Sequence, residues 1–432
     1  LGVDFVNWGS KGNRYFHPFG AIGRPIDFLD FHHYWNRLRL MGDKAALMDH
    51  CLVTQAAYLN KFTRPTNVPS NSIFSTYSYA IHFEASLYAK YLRKYSEKRG
   101  VTRIEALITG VNLEAESGDV ASVTLNDGRV IEGDFFVDCS GFRAIVSEGA
   151  LKTGFEDWSP WLFNNKAWAA NCEDNGPLTP YTRATAHDAG WQWRIPLQSR
   201  VGTGHVYCDR YTSDQEALDV LMNNLDGKVT RDPFLIRFQP GRRKLSWNRN
   251  CVAIGLAGGF VEPLESTTIY FIQTAIMRFI SLFPRSRADR ISSDIYNRMM
   301  QKMYEETRDF LILHYTETDR EDTAYWKDVR QMAVPDTLKE KIDAYRHRGW
   351  VQNEIADLFG NDSWHSIFTG QNVLPESYSI IANNIDADDL RSRLTRMRAI
   401  ISNTAVQMPD HRAFLSQHSP YVAPDSPVMT SA

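Results

Sequence analysis

Three short runs of this sequence carry residue types that can do chemistry. The longest is Gly255-Leu256-Ala257-Gly258-Gly259-Phe260-Val261-Glu262-Pro263-Leu264-Glu265-Ser266-Thr267-Thr268-Ile269. Its small residues let a strand end, Pro263 bends the chain, and Ser266 or Thr267 can cap the helix that follows. The first N–H groups of that helix lack partners and its dipole end is positive, so an anion is welcome there. The same run also reads as an ordinary N-cap with Glu265 complementing the dipole. The second run is Gly190-Trp191-Gln192-Trp193-Arg194-Ile195-Pro196. Trp191 and Trp193 stand at i and i+2, on one face of a strand, as a core ladder or as the wall of a cavity. The third is Asp138-Cys139-Ser140-Gly141-Phe142-Arg143. There Gly141 either lets the backbone approach a cofactor or closes a tight turn.

Other chemistries find no support. His32-His33 lacks the carboxylates and spacing of a metal site, and no HExxH occurs, so no metal is expected. Ser140 does not sit in GxSxG. No GxGxxG separates a strand from a helix, and Gly202-Thr203-Gly204 is no substitute.

The elements that must position these runs follow from periodicity. An apolar stripe with Gly100 behind it predicts a helix over 79–98. A β-meander over 104–113, 120–125 and 129–137 turns at Ser117-Gly118-Asp119 and Asn126-Asp127-Gly128. Strands are expected at 190–196, 204–209 and 251–256, and helices at 213–225, 268–283, 291–313, 336–347 and 387–406. The first 75 residues read as irregular structure over short strands. The pattern is an α/β front with mixed sheets and a helical back.

Composition narrows the class. The chain has 432 residues, 43 % hydrophobic and 23 % charged, the balance of a globular protein with room for two or three domains. A net charge of −3 recommends neither nucleic acid nor an anionic membrane as partner. Five scattered cysteines with no CxxC pair fit a reducing, cytoplasmic setting, and no apolar run reaches the length of a membrane helix.

GWxWxIP and FxEPLEST, in this order and spacing, resemble the flavin-dependent tryptophan-halogenase family. The resemblance continues through Phe5-Val6-Asn7-Trp8, Phe16-His17-Pro18-Phe19-Gly20, Pro240-Gly241-Arg242-Arg243-Lys244, Asp309-Phe310-Leu311-Ile312-Leu313-His314-Tyr315 and Asp322-Thr323. It implies an α/β flavoprotein-monooxygenase-like (FAD/NAD(P)-binding) module with mixed sheets over 1–285, including the substrate-pocket strands. A helical substrate-binding region would span 286–418 and a flexible tail 419–432.

The resemblance also implies the chemistry. A separate flavin reductase supplies FADH2, which with O2 and chloride or bromide yields hypohalous acid. The acid passes through a tunnel to a Lys beside a small aromatic substrate. Glu265 corresponds to the catalytic Glu, and Ser266 lies beside it. Thr267 and Thr268 correspond to the halide-binding pair. Ser140, Gly141, Leu256 and Ile269 correspond to flavin contacts. Trp191 and Trp193 keep substrate from the flavin, and His17, Phe19 and Phe359 line the aromatic pocket. A monomer or homodimer is expected.

Three departures qualify the match. The family's opening strand, GxGxxG loop and helix are absent, and its catalytic Lys would fall just before Leu1, as in an N-terminally truncated chain. The halide pair reads Thr267-Thr268 where the family usually has Thr-Gly, and Gly tolerates backbone angles that Thr resists, which points to bromide. The stretch 345–364 is short, and Trp364 and His365 replace a Tyr pair, with no Glu evident that matches the one the family uses to grip an amino-acid end. A neutral indole or another electron-rich arene is the expected substrate. Two rivals stand beside this reading: a flavin-dependent aromatic hydroxylase, and an inactive fragment lacking the cofactor loop. The Trp191/Trp193 wall and Glu265 argue against the hydroxylase.

Overall fold

The structure, a computed structural model, describes residues 1–286, 289–352 and 357–421. Its centre is a seven-stranded sheet in the order Val229–Arg237, Lys166–Cys172, Val201–Tyr207, Gly190–Pro196, Thr182–His187, Gly2–Val6 and Arg14–Pro18. Neighbours run antiparallel except Gly2–Val6 against Thr182–His187. The register explains how two indoles fit on one face. Trp191 lies between Ala186 and Val206, and Trp193 between Ala184 and Gly204. Small flanking residues leave the lateral room that each ring fills.

Three small sheets form the rest of the front. The meander pairs Ile108–Leu113, Val120–Leu125 and Val130–Glu132. Here the expected strand over 129–137 breaks in two. Past Gly133, Phe136–Asp138 leaves the meander and pairs parallel with Cys251–Ala253. The expected strand over 251–256 stops at Ala253, and Gly255 adopts φ +67°.

Helices were easiest to foresee where one stripe was apolar. Asp214–Asn223, Thr268–Ser281, Arg290–Thr316, Asp336–Arg348 and Ala387–Gln407 match expectation within a few residues. The helix expected from residue 79 starts at Ala85, because the preceding segment is tied out straight: His82 Nδ1 meets the Pro196 carbonyl at 3.2 Å and Glu84 pairs with Arg200. Phe31–Leu40 and Leu52–Tyr58 correct the reading of the first 75 residues as irregular. Eight residues of Phe31–Leu40 are buried, including His32, His33, Asn36 and Arg37, so no polar face marks it in sequence. His32 stacks on His33 and on His365 with centroids 4.0 and 3.9 Å apart. Burial lowers the His365 pKa to about 3, so the cluster packs as neutral rings.

Two cores result. The larger runs from Val3 to Val373 and joins the inner face of the seven-stranded sheet to the long helix, whose last ten residues are all buried. The smaller joins Phe16, Phe31–Leu40 and the Ala387–Gln407 helix. The expected tail from 419 lies outside the described residues beyond Tyr421. Among the described residues no helix is long and apolar enough to cross a membrane, and no group of three or more His, Cys, Asp or Glu could hold a metal ion.

One prediction tests the sheet register. A Cβ at Gly204 would overlap the Trp193 ring and the Trp168 carbonyl. Gly204→Ala should therefore cost about 1–3 kcal/mol of stability, read from urea unfolding, as overpacked positions do. It should also displace Trp193, seen as a change in near-UV circular dichroism of the folded variant.

Candidate active site

The Phe260–Thr268 segment delivers its functional groups through two unusual backbone conformations. Glu262 (φ +70°) and Ser266 (φ +56°) are non-glycine residues in the left-handed region, and the Ser266 amide donates to the Pro263 carbonyl at 2.9 Å. Such conformations cost about 1–3 kcal/mol each and persist where surrounding contacts hold them. The turn they make turns Glu265 inward and leaves Ser266 exposed.

Glu265 is withdrawn from water, its side chain 1 % exposed. Two imidazoles from distant parts of the chain answer it. His17 Nδ1, on the second strand, lies 3.0 Å from each carboxylate oxygen. His314 Nε2, near the end of the long helix, lies 3.1 Å from Oε1. Behind His314 the chain of donors continues. The Tyr15 hydroxyl lies 3.3 Å from His314 Nδ1 and accepts from Gln371 Nε2 at 3.2 Å. Burial pushes the Glu265 pKa up, but His17 and His314 outweigh it and hold it at about 2. Burial lowers the His314 pKa against the pull of Glu265. Tyr15 is pushed well above its usual value by burial and stays protonated.

An aromatic cluster stands beside this carboxylate. Phe310 and Phe359 stack with centroids 3.8 Å apart, Phe310 meets Trp364 edge-on at 5.0 Å, and His17 lies 5.5 and 6.0 Å from Phe310 and Phe359. Phe19, 39 % exposed, contacts His17 from the outer side at 6.1 Å. Lys341 Nζ sits 4.4 Å from the Trp364 ring. Thus His17, Phe19, Phe359 and Glu265 come together around one point. Trp191 and Trp193, 6.1 Å apart, lie elsewhere on the sheet face, Trp191 against Trp8 at 6.2 Å.

Thr267 is buried and Thr268 opens the Thr268–Ser281 helix, so the unpartnered first amides belong to this pair and its successors. Neither Thr lies in the left-handed region. Replacing the family's usual Gly here thus brings no backbone strain. Any effect must come from side-chain volume, which corrects the argument from backbone angles. On the outer side of the helix Ile269 lines an open cleft of about 700 Å³ with Phe83, Leu87, Tyr88, Leu197 and Gln273. Leu256 is half-buried outside that cleft. Ser140 is committed to its own turn: its hydroxyl donates to Asp138 at 2.6 Å and accepts from the Ile145 amide at 2.7 Å. Gly141 follows at φ +72°.

Sequence reasoning gave no role to His314, Tyr15, Phe310 or Tyr315. The stretch holding His314 and Tyr315 carried the resemblance, but only the fold shows that His314 points at a residue 49 positions upstream.

Removing one partner of a buried carboxylate leaves charge unmatched. His17→Phe should cost about 3–5 kcal/mol at pH 7 in urea unfolding. Glu265→Gln should cost less, because it removes the charge itself. The stability held by the depressed Glu265 carboxyl is fully present above pH 4.5 and declines as pH falls toward 2. The wild-type acid limb should therefore flatten in Glu265→Gln.

A family model for tryptophan halogenase matches residues 1–387. The tryptophan 6-halogenase ThaL of Streptomyces albogriseolus is 34 % identical over 412 residues, covering 87 % of this chain and 76 % of its own. The structure of BrvH, a flavin-dependent halogenase from Brevundimonas sp. BAL3, superposes with a TM-score of 0.93 at 42 % identity, covering 96 % of this chain and 85 % of that one. Xcc4156, a flavin-dependent halogenase from Xanthomonas campestris, gives 0.94 at 40 % identity, covering 98 % and 84 %. Fold, motifs and relatives converge, and the chain belongs to the tryptophan halogenase family of flavin-dependent oxidoreductases.

Proposed function

We propose that this chain halogenates an electron-rich arene of the indole class, with bromide preferred to chloride. The observation that carries the proposal is the buried carboxylate of Glu265, ionised and faced by an aromatic cluster. Reduced FAD bound here, supplied by a separate reductase, would give two electrons to O2 and the halide two more, leaving oxidised FAD, hypohalous acid and water. The apolar cleft lined by Phe83, Tyr88 and Ile269 suits a flat ring system, and it adjoins the start of the halide-pair helix. The orphan amides at Thr267 and Thr268 would hold the halide there.

Glu265 acts on the substrate. Electrophilic attack leaves a positive charge on the arene ring, and a fixed carboxylate in a dry site lowers the energy of that cation. A group that titrates at about 2 is a weak base, so its charge matters more than its proton affinity. Phe310, Phe359 and Trp364 form an aromatic wall beside the carboxylate on which an arene can pack.

The test is product mass spectrometry on the full-length protein carrying this chain, with FAD, a flavin reductase, NADH, bromide, indole and tryptophan. Bromoindole without bromotryptophan is expected. Bromotryptophan as main product would overturn the substrate reading, and oxygenated products alone would favour a hydroxylase. Glu265→Gln should lower turnover by about 10²–10⁴. The wild-type rate should show no step from Glu265 above pH 4.5, since the group is ionised throughout that range. Thr268→Gly should raise the ratio of chlorinated to brominated product when both halides are present.

A further inference from the structure

The FxEPLEST run contains a second glutamate to which the site described above gives no task. Glu262 is 1 % exposed and stands three residues before Glu265, at φ +70° and directly ahead of Pro263. A non-glycine residue keeps that conformation only if something holds it. Tyr315 does: its hydroxyl donates to Glu262 Oε1 at 2.5 Å. Asn164 Nδ2 reaches Oε2 at 3.2 Å and the Tyr315 hydroxyl at 3.0 Å. Tyr325 in turn donates to Asn164 Oδ1 at 3.1 Å. Every member of this network is buried.

Its position is what matters. Tyr315 follows His314 on the long helix, and His314 holds Glu265. The two glutamates of one turn are therefore pinned to two consecutive residues of one helix. On the sheet side the Trp191 indole Nε1 is buried with no acceptor in hydrogen-bond geometry among the described residues. The polar groups it faces are Glu262 and Tyr315. Glu262 thus lies where the Trp191 wall, the turn carrying Glu265 and the start of the halide-pair helix meet.

We propose that Glu262 is a positioning residue for halogenation: anchored by Tyr315 and Asn164, it holds the Pro263–Ser266 turn so that Glu265, the Thr267–Thr268 helix start and Trp191 stay in register. The inference rests on the proposed function for its reaction, and on the network alone for its geometry. Glu262 never meets the arene; it acts through Glu265 and the helix start.

The protonation state gives the proposal a signature. Burial raises the Glu262 pKa to about 7 against the pull of Tyr315, Asn164 and Trp191. The titratable groups that face it, Tyr315 and Tyr325, are pushed well above their usual value by burial and keep their protons. Cys208, beside Tyr325, is also raised by burial. Ionised Glu262 accepts from Tyr315 and Asn164 and offers Trp191 an acceptor. Protonated, it can donate across the same 2.5 Å contact to the Tyr315 oxygen, which deprives the Tyr315 O–H of the carboxylate as its acceptor. The turn is held better above pH 7 than below it.

The experiment measures halogenated indole formed per reduced flavin consumed, from pH 6 to 8, in the full-length protein. Wild type should rise about threefold through pH 7, and Glu262→Gln, which keeps an acceptor for Tyr315, should stay flat near the wild-type low-pH level. Glu262→Ala and Tyr315→Phe should each fall about tenfold in that ratio with little change in the KM for indole. The double variant should be no worse than either single one, since both cut the same link. A pH step that survives in Glu262→Gln, a Glu262→Ala ratio within about twofold of wild type, or losses that multiply in the double variant would overturn the proposal. Infrared difference spectra of the folded protein supply a readout free of turnover. A carboxylic-acid band that disappears near pH 7 in wild type and is missing in Glu262→Gln supports the pin, and no such band overturns it. Should wild type halogenate no arene, the proposed function falls, and the infrared result alone decides whether Glu262 holds the turn.

Discussion

A carboxylate removed from water must be met by donors or surrender its charge, and meeting Glu265 organises much of this molecule. Two imidazoles from distant parts of the chain meet it. His17 rides on a strand of the seven-stranded sheet, and His314 on a helix that crosses the inner face of that sheet. For both to lie within 3.0–3.1 Å of one side chain, the sheet, the turn and the helix must be placed to a fraction of an ångström. Phe5, stacked on His314 at 4.6 Å, and Phe310, edge-on to it at 5.3 Å, hold that placement by packing. The charged centre and the apolar core are thus one construction, since the rings that exclude water also orient the imidazoles.

The same construction separates two environments. On one side lies a closed aromatic cluster around His17, Phe310, Phe359 and Trp364. On the other the Thr268–Ser281 helix shows Ile269, Ile276, Met277 and Ile280 to a cleft and the outer surface, alongside Leu87, Tyr88 and Tyr91 of Ala85–Glu97. Thr267 and Thr268 stand at the boundary between the two.

How much of this was legible beforehand follows from which interactions are local. Trp191 and Trp193 could be placed on one strand face because strand periodicity is a property of adjacent residues, and the strand Gly190–Pro196 has the foreseen limits. Helices with a one-sided apolar stripe were equally plain. Phe31–Leu40 was not, since it is buried almost all round and its polar residues bond to distant carbonyls, as Arg37 does to Ala382 and Ile385. The break at Gly133 escaped notice because the partner that draws Phe136–Asp138 away lies more than a hundred residues downstream. Glu265 could be singled out from its motif, but His314 and Tyr15 could not, because nothing in their neighbourhood announces a partner fixed only by tertiary folding.

The pairing of Glu262 and Glu265 with the adjacent residues Tyr315 and His314 carries a consequence for how this chain can change length. Each added helical residue rotates everything beyond it by about 100° and advances it by about 1.5 Å. One extra residue within the long helix ahead of His314 would swing both anchors off the turn together. One extra residue between Pro263 and Leu264 would let at most one glutamate keep its anchor. The two pinned segments form a gauge of fixed length that substitution can tune and indels cannot.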